Sequence, residues 1–334
     1  TVVMRSSLPQ GELGVVGAEI CLRPNGRFGE CGGMDGAPDA AMVARLIDEQ
    51  CPWLIGAPVV PSPAAGSSNW VFRLGADRAI RMPRSDGDVA SLVKEARWLP
   101  MLGARLPVAV PEVLFEGAPS GVFPRPWLVV SWVPGERPAD LSASGELRLA
   151  QTLGSFVRRL HEVPAIGLEP GAATWGYRAG EPVTDEIDGW AEEAADELAD
   201  LFDPTAVREA WRRVRDVPPA SGAPCWLHTD LSSENVLVWP DGDLAGVIDF
   251  GGLGVGDRSV DLLYAWSLFR EPAREAFRVA AGADEATWLR ARAWAFVGPG
   301  LLTIAHYRDS MPERTARLTA MVEAIAAEVG VALR

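Results

Sequence analysis

Apolar positions change rhythm about two-fifths of the way along the chain. Up to residue 135 they fall in short alternating or continuous runs bounded by Gly, Pro and Asp, the pattern of strands joined by turns. Trp70-Val71-Phe72-Arg73-Leu74 alternates as a strand, Gly75-Ala76-Asp77 turns it, and Ala79 to Arg84 returns. Two helices interrupt this region. One runs from Asp39 to about Gln50, and one from Asp86 to Leu102 with Ser85 or Asp86 as cap. Pro126 to Gly135 is an apolar strand closed by Pro-Gly, suited to a connector between two bodies. Beyond it the repeat becomes three to four residues. Leu149, Leu153, Phe156, Val157 and Leu160 form one stripe ending at Leu160-His161-Glu162-Val163-Pro164, and residues 285 to 329 read as two long helices.

One stretch breaks this helical half. Pro224 to Leu227 is a buried strand, Val236 to Val238 a second and Leu244 to Ile248 a third, with Pro240-Asp241-Gly242-Asp243 as a hairpin turn between the last two. The polar residues beside these strands are spaced H-x-D-x-x-x-x-N (His228, Asp230, Asn235), followed by Asp249 in I-D-F-G. Moving a phosphoryl group from a nucleotide to a hydroxyl needs positioning and charge neutralisation more than covalent help. A carboxylate must take the proton of the attacking hydroxyl, and oxygen ligands must hold a metal against the phosphates. Asp230 suits the first task, Asn235 and Asp249 the second, and the hairpin carries all three toward one end. Asp and Asn are also ordinary turn residues. Four matched positions with flanking strands favour the chemistry.

These residues resemble the aminoglycoside phosphotransferase family, small-molecule kinases built like protein kinases, and the likeness runs from about Val59 to about Ala326. The resemblance implies an α+β, two-lobed protein-kinase-like fold with a small antiparallel-sheet N-lobe and a mainly helical C-lobe. Residues 34–135 would form the nucleotide-binding lobe and hinge, and 136–334 the catalytic and substrate-binding lobe. It implies Asp230 as the base, Asn235 and Asp249 as Mg2+ ligands, and ATP or GTP as phosphate donor. Gly254 to Leu262 matches the family's G-D-x-x-x-D-L segment, so Asp261 would open the next helix and buttress the catalytic loop, which His228 also braces. Asp257 follows Asp249 by eight positions, and Thr229 stands where protein kinases carry an Arg, so a phosphorylation-regulated protein kinase is disfavoured.

The nucleotide lobe can be filled in by order. Gly66-Ser67-Ser68-Asn69 offers small residues whose backbone N–H groups and hydroxyls could meet phosphate, although G-x-G-x-x-G is absent and a plain turn fits the same residues. Arg81 occupies the place of the phosphate-binding lysine of V-A-I-K, and Glu95 is its expected partner. The chain has a single lysine, Lys94, so no other lysine is available. A solvated Arg and Glu is the plainer alternative. By the resemblance the hinge lies at Ser131 to Val133, whose backbone would bind the adenine edge. His161 and His306 carry no evident chemistry.

Net charge is −14, yet residues 55–135 hold eight basic and six acidic groups, so the acidic excess lies elsewhere. Asp185, Glu186, Asp188, Glu192, Glu193, Asp196, Glu197, Asp200 and Asp203 crowd one helical insertion. Such a wall attracts cationic ligands and repels nucleic acid; it is equally a solvated helix face. The expected acceptor is thus a hydroxyl of a small, cationic, aminoglycoside-like antibiotic, whose phosphorylation confers resistance. A macrolide, nucleoside or peptide antibiotic, a metabolic sugar or choline, and a catalytically silent nucleotide-binding module remain alternatives. No apolar run reaches the roughly 20 residues of a membrane span, and the four cysteines show neither zinc nor disulfide spacing. A soluble cytoplasmic protein without membrane or nucleic-acid partners, monomeric or weakly dimeric, is expected. Residues 1–33 are Gly-rich and aperiodic, an extension of unclear role with a natural start expected at Met34.

Overall fold

The computed structural model describes residues 20–22, 28–30, 37–62, 68–165 and 183–334. The chain divides into two units, one holding the residues up to Gly135 together with Ala245–Leu253, the other holding most of the remainder from Glu136.

In the first unit, β1 (Ile20–Leu22) and β2 (Phe28–Glu30) pair antiparallel within the stretch that reads as Gly-rich and aperiodic. The Met34 start falls outside the described residues. Helix α1 (Ala40–Gln50) is capped by Asp39, whose carboxylate accepts from Met42 N. Five strands follow with one helix among them: β3 (Val59–Pro61), β4 (Asn69–Leu74), β5 (Arg78–Pro83), α2 (Asp86–Gly103), β6 (Val113–Gly117) and β7 (Trp127–Ser131). Their order in the sheet is β3-β4-β5-β7-β6, antiparallel throughout.

Alternation along β5 sorts its side chains between two apolar clusters. Ile80 and Met82 pack with Val43 and Leu46 of α1 and with Trp127, while Ala79 packs with Leu92 and Ala96 of α2. Arg81 shares the period-two face of Ala79, which is why a charged residue in a buried strand faces α2. That helix is fixed at its start by a reciprocal capping box between Ser85 and Asp88.

The second unit opens with α3 (Ala143–Glu162), capped by Ser142. After α4 (Asp185–Glu197) and α5 (Pro204–Val214) come β8 (Cys225–Leu227), β9 (Val236–Val238), β10 (Leu244–Val247), which leads the chain back into the first unit, and β11 (Gly254–Gly256). Strand β11 pairs antiparallel with β8, with Gly254 opposite Leu227. The turn before β10 is built at Gly242 (φ +89°), whose N–H donates to Trp239 O while Trp239 N donates to Asp243 O.

The C-terminal part departs from two long helices. It contains α6 (Ala265–Leu268), α7 (Ala273–Ala281), α8 (Glu285–Ala295), a π-helical segment at Phe296–Leu302, α9 (Thr303–Tyr307) and α10 (Pro312–Glu328). Pro299 lacks an N–H for the ladder, and Gly298 and Gly300 flank it, so the α pattern widens there. No described helix is long and apolar enough to cross a membrane.

Candidate active site

The catalytic-loop candidates stand in the second unit, just after β8. Thr229 has φ +76°, an unusual backbone for a β-branched residue, costing about 1–3 kcal/mol unless its surroundings enforce it. Asp261 supplies that enforcement. Its Oδ1 accepts from Thr229 N at 2.7 Å and its Oδ2 from His228 N at 3.1 Å. Instead of opening a helix, Asp261 lies within a 3-10 turn at Arg258–Leu262, and it is 2 % exposed. A buried carboxylate tolerates that depth because several donors surround it.

The next residue, Asp230, donates its N–H to His228 Nδ1 at 3.3 Å, so the ring accepts through Nδ1 and closes the loop on itself. Asn235 locks the far side. Its Nδ2 donates to Asp230 O and to Asp230 Oδ2, each at 2.9 Å, and its backbone N–H donates to Ser232 O. With the amide nitrogen so committed, Asn235 Oδ1 is the atom able to meet a cation. The neighbouring Glu234 carboxyl is buried, which raises its pKa, yet Arg314 and Arg317 overcome this and leave it below the ordinary value. Arg317 also bonds it directly.

In the first unit, Arg81, Glu95 and Asp249 come together. Arg81 Nη1 donates to Glu95 Oε1 and Nη2 to Asp249 Oδ1, both at 2.6 Å. Burial works against the Arg81 charge, but the two carboxylates outweigh it and hold the guanidinium above its usual pKa. Burial pushes the Glu95 carboxyl up to about 7, opposed by Arg81 and reinforced by Asp249. Asp249 itself is left-handed (φ 63°), and a Cβ on the following-turn residue Gly251 would stand 3.3 Å from Asp249 Oδ1. Small size at Gly251 therefore leaves room around that carboxylate.

The remaining expected nucleotide contacts fare unevenly. Ser67 lies outside the described residues; the Ser68 carbonyl accepts from Arg84 N at 3.0 Å. Ser131 is already engaged, since its N–H donates to Glu112 O and its Oγ accepts from Glu112 N. Its N–H is therefore taken by the sheet, while its hydroxyl accepts there and keeps its own proton to donate. Val133 is buried, and its side chain occupies the space a Cβ on Gly246 would need.

Two features escape sequence reading. His161 Nε2 lies 2.9 Å from Asp261 Oδ2, both groups buried. The one hint is that His161 extends the apolar stripe of α3, four positions after Val157. Second, much of the acidic insertion is neutralised internally. Asp188 accepts from Trp211 and Arg215, Glu192 and Asp196 accept from Arg208, Asp200 accepts from Arg308, and Asp203 caps α5.

A sequence profile described as the phosphotransferase enzyme family matches residues 60–294. An aminoglycoside 3'-phosphotransferase of Escherichia coli is 28% identical over 188 residues, 55% of this chain and 65% of that protein. A viomycin phosphotransferase of Streptomyces vinaceus is 27% identical over 198 residues, 57% of this chain and 67% of that protein. The chain thus spans about two-thirds or less of the curated relatives it matches. Among solved structures, the GDP complex of wild-type aminoglycoside 2'-phosphotransferase-IIIa superposes with a TM-score of 0.64 at 20% identity, covering 87% of this chain and 100% of that one. The α+β kinase-like fold expected from the sequence is the fold of these neighbours, and with most of its length matched the chain belongs to the phosphotransferase enzyme family.

Proposed function

We propose that this protein transfers the terminal phosphoryl group of a nucleoside triphosphate to a hydroxyl of a small antibiotic, with Asp230 as the proton acceptor. The observation that carries this reading is the loop after β8. A carboxylate there is fixed by Asn235 on one side and by a backbone clamp on Asp261 on the other, as a general base must be. The fixed geometry supplies positioning, the main requirement of this reaction.

Asn235 and Asp249 would hold Mg2+. Their donor set fits a hard cation, because Asn235 offers an amide oxygen and Asp249 a carboxylate. When bound, magnesium neutralises phosphate charge. Arg81 would steady the phosphates while Glu95 and Asp249 hold its fork in place. Solved relatives carry GDP, ADP or ATP, which supports a purine nucleotide as donor.

For the acceptor, relatives named for aminoglycosides and viomycin support a hydroxylated, amine-bearing antibiotic. A second reading, an acceptor with fewer amines such as a macrolide, draws support from the arginine pairing of the α4 acids. That pairing leaves Asp185, Glu193 and Glu197 among the exposed acids of α4 outside those arginine pairs. The deciding experiment offers aminoglycosides, viomycin, macrolides, sugars and choline side by side with ATP or GTP, and reads a one-phosphate mass increment. Phosphorylation of an antibiotic supports the proposal. Phosphorylation of metabolites alone makes the protein a metabolic kinase, and no increment with any acceptor favours a silent nucleotide-binding module.

A further inference from the structure

We infer that His161 is a positioning residue for the phosphotransfer reaction, acting on Asp230 through Asp261. The inference rests on the reading of Asp230 as the base, and adds a member to its support that lies 100 positions from Asp261 in sequence.

The chain of contacts is short and wholly buried. A carboxylate can only accept, so His161 Nε2 carries the proton that it shares with Asp261 Oδ2 at 2.9 Å. That oxygen also takes the His228 N–H, while Oδ1 takes the Thr229 N–H. Three donors thus set the plane of one carboxylate. Two of them belong to the loop whose conformation is in question, and among the described residues His161 is the donor that ties the carboxylate to a separate, rigid element. Without that third contact the carboxylate could rotate or shift with the loop and no longer define it.

Helix α3 is well suited to act as the fixed reference. Its Gly154 passes so close to α7 that an added Cβ would stand 2.7 Å from Phe277 O. Beyond its C-terminal end, Pro164 O accepts from Trp226 Nε1 of β8 at 3.4 Å. His161 is therefore held from both sides, whereas Thr229 sits in a backbone region that its side chain disfavours and depends on outside contacts to stay there. A change of φ at Thr229 re-aims the residue that follows it, Asp230. Displacement by about 1 Å suffices to cost about 100-fold in rate.

The experiment compares wild type with His161→Phe, which keeps a ring of similar volume without the hydrogen bond, and His161→Gln, which keeps a donor. Three quantities are read: kcat, KM for the nucleotide, and hydrogen exchange at the His228 and Thr229 amides. His161→Phe is expected to lower kcat by about 10- to 100-fold with nucleotide KM within about twofold, and to speed exchange at both amides. His161→Gln is expected to recover most of both losses. A purely structural role would lower the melting temperature without this split or this rescue. Should His161→Phe not fold, His161→Ala carries the same criteria. Wild-type kcat, or unchanged protection of both amides, in a folded Phe or Ala variant overturns the inference. If wild type shows no phosphotransfer with any acceptor, the reading of Asp230 fails, while the exchange measurement still decides whether His161 holds the loop.

Discussion

Arg81 reaches Asp249 across 168 positions of sequence with a 2.6 Å hydrogen bond, while its other terminal nitrogen holds Glu95. One planar fork thus spaces two carboxylates, something a single ammonium group cannot reproduce. The Arg in place of the usual lysine therefore orients Asp249, and under the proposed function it would also offer charge to phosphate.

Replacing this residue separates the two roles. Arg81→Ala takes away the guanidinium hydrogen-bonded to the buried Glu95 carboxyl and is expected to cost about 3–5 kcal/mol in urea unfolding. Arg81→Lys keeps the charge and loses the fork, so stability should fall less while KM for the nucleotide rises by about tenfold. Equal stability of Arg81→Ala and wild type would show that the pair is not formed.

Glu95 gives the fold a pH signature. Its carboxyl, buried and therefore raised to about 7, keeps in the folded state a proton that the unfolded chain releases near its ordinary value of 4.5. Stability from this group is present in full below the unfolded pKa and drains away as pH rises through about 7. Arg81 and Lys94 oppose the shift, and Asp249 adds to it. Unfolding free energies of wild type and Glu95→Gln from urea titrations at pH 4.5 to 8 should diverge by an amount on the order of 3 kcal/mol in favour of the variant as pH rises. Parallel curves would contradict it.

Asp230→Asn keeps the shape of the side chain and an oxygen for the Asn235 amide to donate to, and removes the basicity. Turnover should drop by about 10² to 10⁴, with nucleotide affinity by calorimetry changed less than about threefold. Retained turnover would remove Asp230 from the base role.

The turn at Gly242 offers a test far from the chemistry. Its φ of +89° suits glycine, and a Cβ there would meet Gly145 Cα at 2.8 Å. Gly242→Ala should destabilise by about 1–3 kcal/mol and leave nucleotide KM unchanged.

What the sequence displays and what it hides follow from the range of the interactions. The cap at Ser85, the turn at Gly242 and the stripe of α3 depend on neighbours within four residues, so they are written locally. Long apolar runs after residue 285 do read as helix, but the π segment comes from Gly298-Pro299-Gly300 set inside a helical pattern, where periodicity alone suggests continuity. The His161–Asp261 and Arg208–Glu192 pairs join separate elements, and no spacing rule anticipates them. Nine acids spread over residues 185 to 203 read equally as an anionic wall or a solvated face; Arg208 of α5 and Arg215 just past its end answer three of them, a fact visible only once the two helices pack. Thr229 shows the opposite failing, since nothing in its identity announces a left-handed backbone.

Having arginine at position 81 also leaves this enzyme family member with one side-chain amine, Lys94, whose ammonium is lowered by burial to about 8. If Arg81 steadies the phosphates as proposed, an acylating nucleotide reagent that needs a phosphate-side amine would find a guanidinium there instead. Inventories of kinases gathered by such chemistry are therefore expected to pass over this protein, or to mark it at Lys94, beside Glu95.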